Sequence, residues 1–352
     1  MRHIKIGFIG HLAIGKDYYD GQTIKTRTVY EGIYRVIDNI VYVDTNKKNS
    51  PLKLIIDTLK CLLFTNRIIV MLSRNGLKVY LPLLYLYSKL PGKKVFHCVI
   101  GGNDDELLNE NPKWIHYMAS FSANWYESKK LVEKMKNKGI LSSEYLPNFK
   151  NIKRLDIKQL NFYVNDQKNS DTYKFCTFSR VTKEKGISDA VQALNSVIKS
   201  RGKNIYLDVY GPIDPNYEKE FFDLLTKYDF VKYRGVVEAQ ESVECLKGYY
   251  GLMFPTYFYG EGFPGTLIDA MCAGVPVIAS DWHFNSEIIN DGIDGIVYGT
   301  SKYEKLEDAI MWAIDNKENF INFKKKTWEK AENFLIEKNI NYILNEMGFE
   351  DK

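Results

Sequence analysis

The chain has 352 residues, enough for two domains of ordinary size. A hydrophobic content of 45% and a charged content of 26% are those of a soluble globular protein, and a net charge of +4 is too small to point to nucleic acid. The longest apolar runs, IIVML (68–72) and VYLPLLYLY (79–87), fall well short of the roughly 20 residues that a membrane-spanning helix needs. The opening MRHIKIGFIG runs straight into a strand, which leaves no room for a signal peptide, and the five scattered cysteines lack CxxC spacing. Together these predict a cytoplasmic protein with reduced thiols and no structural zinc.

Short apolar runs closed by Gly, Asn or Asp mark buried parallel strands. In chain order they are IKIGFIG (4–10), NIVYVD (39–44), RIIVMLS (67–73), KVFHCVIGG (94–102), SANWYES (122–128) and SEYLPN (143–148). Helical stretches separate them, such as TIKTRTVYEGIYRVI (23–37) and KKLVEKMKNKG (129–139), the latter ended by a glycine. Periodicity fails over the polar passage 150–174, which reads as a linker. The alternation then restarts with KFCTFSR (174–180), NIYLDVYG (204–211), VKYRG (231–235), GLMFP (251–255), VPVIASD (275–281) and GIVYG (295–299), with helices predicted over 186–200, 217–227, 240–247 and 265–273. The tail from about residue 302 is helical and amphipathic. Strands alternating with helices predict two doubly wound α/β domains, 1–160 and 161–325, with a C-terminal helical segment, 326–352, packing back on the first. Ligands of such sheets bind at the carboxyl ends of the strands, so the expected site is a cleft between two domains that face each other.

Four glycine-bearing loops are candidates for holding a ligand. GFIGHLAIG (7–15) has G-x2-G-x4-G spacing and no acidic ribose partner at the usual distance, which disfavours a dehydrogenase. DGQTIKTR (20–27) places Gly21 before a helix, whose free N–H groups suit a phosphate, although an ordinary turn has the same composition. FSRVTKEKGISDAV (178–191) puts Arg180 at a strand end and Lys185 just before Gly186 and a helix, two cations able to neutralise a diphosphate. FPTYFYGEGFPGTLIDAMCAGVPVIASD (254–281) is the densest stretch. There Gly262 and Gly265 let the backbone approach a ligand at a helix start, Glu261 offers a carboxylate to sugar hydroxyls, and Asp269 lies one turn further along.

With SRVTKEKG (179–186), YLDVYG (206–211), VKYRGVV (231–237) and EIINDGIDGIVY (287–298), that stretch resembles the retaining glycosyltransferases of family 4, which have the GT-B fold of two Rossmann-like domains. The resemblance runs over nearly the whole chain and is most specific in the second domain. The family's Glu-x7-Glu motif is matched by Glu261 and, one methylene shorter, by Asp269, which the resemblance makes a contact to the nucleotide ribose. By the same resemblance Arg180 and Lys185 hold the donor diphosphate, Val236 and Val237 flank the base, and the backbone of Gly262, Phe263, Pro264 and Gly265 meets sugar and phosphate. Family members often carry a His after the fourth strand of the first domain. The segment here reads VFHCVIGGNDDEL (95–107), which leaves His97, Asn103 and Asp104 as alternatives for the sugar contact, His97 also reading as an ordinary core residue.

The resemblance implies a cytoplasmic enzyme of bacterial surface-polysaccharide synthesis, metal-independent and without a cofactor. Its donor would be a UDP- or GDP-linked sugar and its acceptor a glycan or a polyprenyl-linked sugar. A catalytically weak nucleotide-sugar-binding subunit of another transferase, or an epimerase of the same fold, would share most of these residues. First-domain helices carrying LKLIIDTLKCLLF (52–64) and LKVYLPLLYLYSKLPGKK (77–94) mix leucine and tyrosine with lysine. They fit peripheral contact with an anionic inner membrane, or equally two helices that simply cover a sheet.

Overall fold

The computed structural model describes residues 5–15, 21–46, 50–101, 104–299 and 303–349, with the backbone alone for Asp104, Asp105, Tyr303 and Glu304. The chain divides into two compact units, one made of Met1–Asn151 with Ile336–Lys352 and the other of Ile152–Leu335. Asn103 and the polar loop 16–20 lie outside the described residues.

Unit 1 holds strands β1 (Ile6–Gly10), β2 (Ile40–Asp44), β3 (Arg67–Met71), β4 (Lys94–Cys98), β5 (Ala123–Tyr126) and β6 (Ser143–Tyr145). They form a parallel sheet in the order β2-β1-β3-β4-β5-β6. Between them run α1 (Gly21–Tyr34), α2 (Pro51–Phe64), α3 (Arg74–Ser88), α4 (Asp104–Glu110), α5 (Lys113–Ala119) and α6 (Lys129–Asn137). The strands β1 (IGFIG), β3 (RIIVM) and β5 (ANWY) are almost wholly buried because helices cover the sheet, which explains their lack of polar alternation.

Unit 2 opens with a helix where the sequence reading placed a linker: α7 spans Ile157–Asn169. Asp156 caps it, its carboxylate accepting from Lys158 N at 2.8 Å. The inward stripe of α7 is Leu160, Tyr163, Val164 and Gln167, the helical i, i+3, i+4, i+7 spacing, but only two of the four are aliphatic. Gln167 is buried because its amide donates to the carbonyls of Gly248 and Tyr249 at 2.7 and 2.9 Å. A polar residue in the stripe is what hid the helix.

The unit continues through β7 (Thr172–Phe178), α8 (Ile187–Arg201), β8 (Asn204–Tyr210), α9 (Glu218–Lys227), β9 (Val231–Gly235) and α10 (Ser242–Leu246). It then runs through β10 (Gly251–Phe254), α11 (Gly265–Cys272), β11 (Val277–Ser280), α12 (Asn285–Ile288), β12 (Gly295–Tyr298), α13 (Tyr303–Asp315) and α14 (Lys317–Lys330). The sheet is parallel with order β12-β11-β10-β7-β8-β9. One core face packs α8 and α13 residues such as Ala190, Leu194 and Ile310 on the sheet, and the other packs Leu267 and Met271 of α11 with Leu160 and Leu246.

After an extended Leu335 the chain re-enters unit 1 as α15 (Ile336–Glu346). Ile336, Ile340, Ile343 and Leu344 join Val29 and Ile33 of α1 in one core. Gly32 makes this possible, since a Cβ there would stand 2.6 Å from Ile340. Tyr342 donates to Glu144 at 2.8 Å and fixes the other side of the helix.

Lys324 of α14 is a buried amine that donates to the carbonyls of Tyr249 (2.7 Å) and Gly274 (3.4 Å). Burial holds its pKa down to about 7 from an ordinary 10.5. Between those values the unfolded chain keeps a proton that the folded chain has lost, so stability rises with pH across that window. Relative to Lys324→Met, which has nothing to titrate, the wild-type protein should gain roughly 1 kcal/mol per pH unit from about pH 7 upward and nothing below it. Denaturant unfolding of both proteins across this range checks the slope. A flat difference would mean that Lys324 is not held neutral.

Candidate functional site

In unit 2 the strand order reverses between β7 and β10: the chain leaves β7 toward β8 and β9, then returns to the other side through β10. The loops after these two strands diverge and leave a crevice at their carboxyl ends. Arg180 and Lys185 follow β7, and Glu261 and the start of α11 follow β10. The sequence-predicted donor residues therefore meet at the switch point of one sheet.

The two loops touch backbone to backbone. Gly186 has φ +70°, and a Cβ on it would come 2.2 Å from the Pro255 carbonyl oxygen. Tyr257 N donates to Glu184 O at 2.8 Å across the same seam. On the other side Gly211 (φ +129°) lies against Ser179, where a Cβ would be 1.9 Å from the carbonyl oxygen. Larger residues at either glycine would force the loops apart.

This contact brings Lys185 Nζ to 2.5 Å from Glu261 Oε2, which also accepts from Thr256 Oγ1 at 2.9 Å. Lys185 is 8% exposed, so it is not the surface cation that its loop position predicts. The ammonium stands 5.2 and 5.5 Å from the ring centroids of Phe258 and Phe254. Arg180 is exposed, its guanidinium 5.5 Å from the Phe258 ring. One aromatic ring thus lies against both cations, and neither Thr256 nor Phe258 stood out in the sequence reading, because a Thr and a Phe in an aromatic loop are compositionally ordinary.

Glu261 leads into α11, whose first turn is pinned from below. Thr266 Oγ1 donates to Phe178 O at 2.5 Å, and Phe263 is buried against Phe334 at a centroid distance of 5.3 Å. The N-terminal N–H groups of an α-helix point along its axis and favour an anion. Gly262, Pro264 and Gly265 border that end, as expected from the sequence. Val236 is 64% exposed after β9 and Val237 is half-buried beside it.

Asp269 departs from the expectation. It is 2% exposed, and its Oδ1 stands 2.9 Å from Ser242 Oγ, which is also 2.9 Å from Ala239 O. The carboxylate ties α11 to α10 inside the unit and does not reach the surface.

In unit 1 the candidates separate. His97 is 1% exposed inside β4, with Nδ1 3.3 Å from Asn124 Oδ1, and burial holds its pKa down to about 4. It is a neutral core residue and is not open to a sugar. Asp104 opens α4, and Gly21 opens α1 with open space where a Cβ would be. The glycine loop after β1 already holds an anion of its own. Asp44 at the end of β2 accepts from Leu12 N, Ala13 N (both 3.1 Å) and Ile14 N (3.3 Å). Arg27 donates to the Leu12 and Ala13 carbonyls at 2.7 and 2.5 Å. A buried pair missed from sequence, Lys25–Glu127 at 2.7 Å, also reaches Val99 O at 2.8 Å and joins α1 to the ends of β4 and β5.

Residues 161–334 match the family model described as Glycosyl transferases group 1. That stretch is therefore similar to group 1 glycosyl transferases. The chain is also 25% identical over 196 residues to the uncharacterized glycosyltransferase MJ1069 of Methanocaldococcus jannaschii, covering 52% of this chain and 46% of that protein. It is 27% identical over 179 residues to the poly(glycerol-phosphate) alpha-glucosyltransferase of Bacillus subtilis, covering 50% of this chain and 25% of that protein. The matches thus span less than half the length of these curated relatives. Among solved structures, Anabaena Alr3699/HepE in complex with UDP superposes with a TM-score of 0.76 at 13% identity, covering 98% of this chain and 99% of that one. The chain has the GT-B fold, and the stretch similar to group 1 glycosyl transferases lies almost wholly in its second unit.

The Lys185–Glu261 pair can be tested without substrate. Removing one partner leaves a buried charge without its counter-charge, which costs about 3–5 kcal/mol of stability, whereas replacing both by apolar groups restores most of it. Glu261→Leu and Lys185→Met should each destabilise unit 2 on that scale, and the double variant Lys185→Met/Glu261→Leu much less. Urea unfolding of the three proteins closes the cycle. Additive losses would mean that the pair is not coupled.

Proposed function

We propose that the protein is a retaining glycosyltransferase that takes a sugar from a UDP- or GDP-linked donor and passes it to a glycan or polyprenyl-linked acceptor in bacterial surface-polysaccharide synthesis. The observation that carries the reading is the placing of Arg180, Lys185, Glu261 and the start of α11 at the switch point of one sheet. Support comes from the glycosyl transferase match over 161–334 and from HepE, which was solved with UDP and with UDP-glucose.

In this reading the diphosphate lies between Arg180 and Lys185, with the helix start of α11 below it. Before the donor arrives Lys185 is paired with Glu261. A diphosphate draws the ammonium toward itself and frees the carboxylate to accept from sugar hydroxyls. Leaving-group departure and acceptor attack take place on one face of the sugar, with the donor phosphate accepting the acceptor's proton. Arg180 and Lys185 stabilise the charge that grows on the departing diphosphate, the term that dominates such reactions. Val236 and Val237 flank the base. Asp269 orders α10 and α11 beneath the nucleotide and supports the ribose through them. In unit 1, Asn103 and Asp104 are the candidates that remain for the sugar contact. The enzyme acts in the cytoplasm at the inner face of the membrane, and the charge stabilisation comes from side-chain cations, so no metal is needed.

Purified protein supplied with UDP- and GDP-sugars and a polyprenyl-linked acceptor should form a glycoside that keeps the donor's anomeric configuration, readable by NMR. Binding without transfer would point instead to a subunit that assists another transferase. Arg180→Ala, at an exposed position, should leave the fold intact and lower kcat/KM by about 2–4 kcal/mol of transition-state stabilisation. Turnover equal to the wild type would remove Arg180 from the diphosphate site. Chelator should leave the rate largely unchanged, and loss of activity restored by Mg²⁺ or Mn²⁺ would overturn the metal-independent mechanism.

A further inference from the structure

The outer helices of unit 1 are built the wrong way round for helices that merely cover a sheet. The buried residues of α2 are Thr58 and Cys61, a narrow polar face. Cys61 lies against Gly7 of β1, where a Cβ would come 2.5 Å from its sulfur, and Thr58 hydrogen-bonds Tyr80 of α3 at 2.9 Å. The residues turned to solvent are Leu52, Ile55, Ile56, Leu59, Leu63 and Phe64, each 42–71% exposed. On the neighbouring α3, Val79, Leu83 and Leu86 also face out, while Leu77, Leu81 and Leu84 pack inward. Of the 25 large hydrophobic side chains exposed among the described residues, ten fall between Leu52 and Leu90, six of them on α2 and three on the neighbouring α3. Monomeric proteins seldom leave such a patch uncovered.

The charge around this face identifies its occupant. Residues 50–94 contain eight basic residues and one acidic residue, Asp57, a net of +7, whereas the whole chain is only +4. Arg74 and Lys78 are ion-paired with Glu106 and Glu110. Lys53 and Lys60 of α2, with Lys89 and Lys94, are exposed around the leucines. A second copy of the chain would bring like charges together, because a two-fold interface pairs a surface with itself. Apolar side chains flanked by lysines instead match the interface of an anionic bilayer, where acyl chains take the leucines and headgroups take the ammonium groups. No helix among the described residues is long and apolar enough to cross a membrane, so the contact is a peripheral one.

We propose that α2, flanked by α3, is the surface by which unit 1 inserts into the interface of an anionic lipid bilayer. Its purpose rests on the proposed transfer to a lipid-linked acceptor, but its geometry does not. The full chain is floated with phosphatidylcholine vesicles with and without phosphatidylglycerol, at low and high salt, and its mass is measured by analytical ultracentrifugation. The wild type should rise with phosphatidylglycerol vesicles, less so at high salt, and sediment alone as a monomer. Leu59→Glu, at a solvent-facing position, should lower partitioning on the order of tenfold. Lys53→Glu/Lys60→Glu should remove most of the salt sensitivity. Equal binding to neutral vesicles, binding unchanged in Leu59→Glu, or a dimer that Leu59→Glu splits would each overturn the proposal. Transfer to a soluble acceptor is measured in parallel. Lost flotation with transfer intact removes only the bilayer surface, and lost transfer with flotation intact removes only the transfer reading.

Discussion

The chemistry of unit 2 hangs on one close approach, the Gly186 backbone against the Pro255 carbonyl. Only a residue without a Cβ can stand there in the left-handed conformation, and that contact, with the Tyr257–Glu184 hydrogen bond beside it, lets the loops after β7 and β10 share a wall. Everything placed at the crevice follows from it. Lys185 immediately precedes the glycine and is carried inward, where its charge is met by Glu261 and two aromatic faces. Thr256 adds a hydroxyl to the same carboxylate oxygen and is held in place by Ser280, which donates to the Thr256 carbonyl at 2.6 Å. Trp282 donates to Phe258 O at 2.8 Å and fixes the ring that faces both cations. The result is a charge pair and an aromatic wall held in place from both loops.

Below the crevice the support is polar, set within an apolar core. Asp269 meets Ser242, Gln167 meets the carbonyls of Gly248 and Tyr249, and Lys324 meets those of Tyr249 and Gly274. These groups join α7, α10, α11 and α14 at fixed points. Apolar packing alone is tolerant of small slides, whereas a buried amide or ammonium that leaves its carbonyl loses most of its solvation compensation. A helix start that must present N–H groups to an anion gains from such registration. The cost is a pH-sensitive lysine deep in the unit.

The strands and their order of appearance were legible because buried parallel strands have few ways to be written, and every run from IKIGFIG to GIVYG became one. Gly, Glu and the basic pair of the second domain were legible for a related reason, since a crevice that approaches backbone closely needs those residue types at those loop positions. What escaped was whatever depends on a partner distant in sequence. Alpha-helix α7 was missed because Gln167 replaces an aliphatic residue in its stripe. Lys185 read as a cation for a diphosphate, and nothing local says that Glu261, 76 positions on, is its partner in the chain itself. Asp269 read as a ribose ligand because Ser242 is invisible beside it in sequence. Asp44, filling the loop after β1, is likewise set by the register of β1 on β2.

Helix α2 shows the same limit from the opposite direction. Its apolar residues give a periodic pattern, and periodicity reports that a stripe exists without reporting which way it points. The direction is decided on the sheet. Gly7 leaves a shallow hollow in β1 that accepts only a small group, and Cys61 fills it. With Cys61 inward, helical geometry sends Leu52, Ile55, Ile56, Leu59 and Leu63 outward, a set that would otherwise have packed the core. Such a choice destabilises a protein surrounded by water, and it is sustained where some other apolar phase takes up the leucines. A glycine on a buried strand therefore determines what the outside of unit 1 offers to its surroundings.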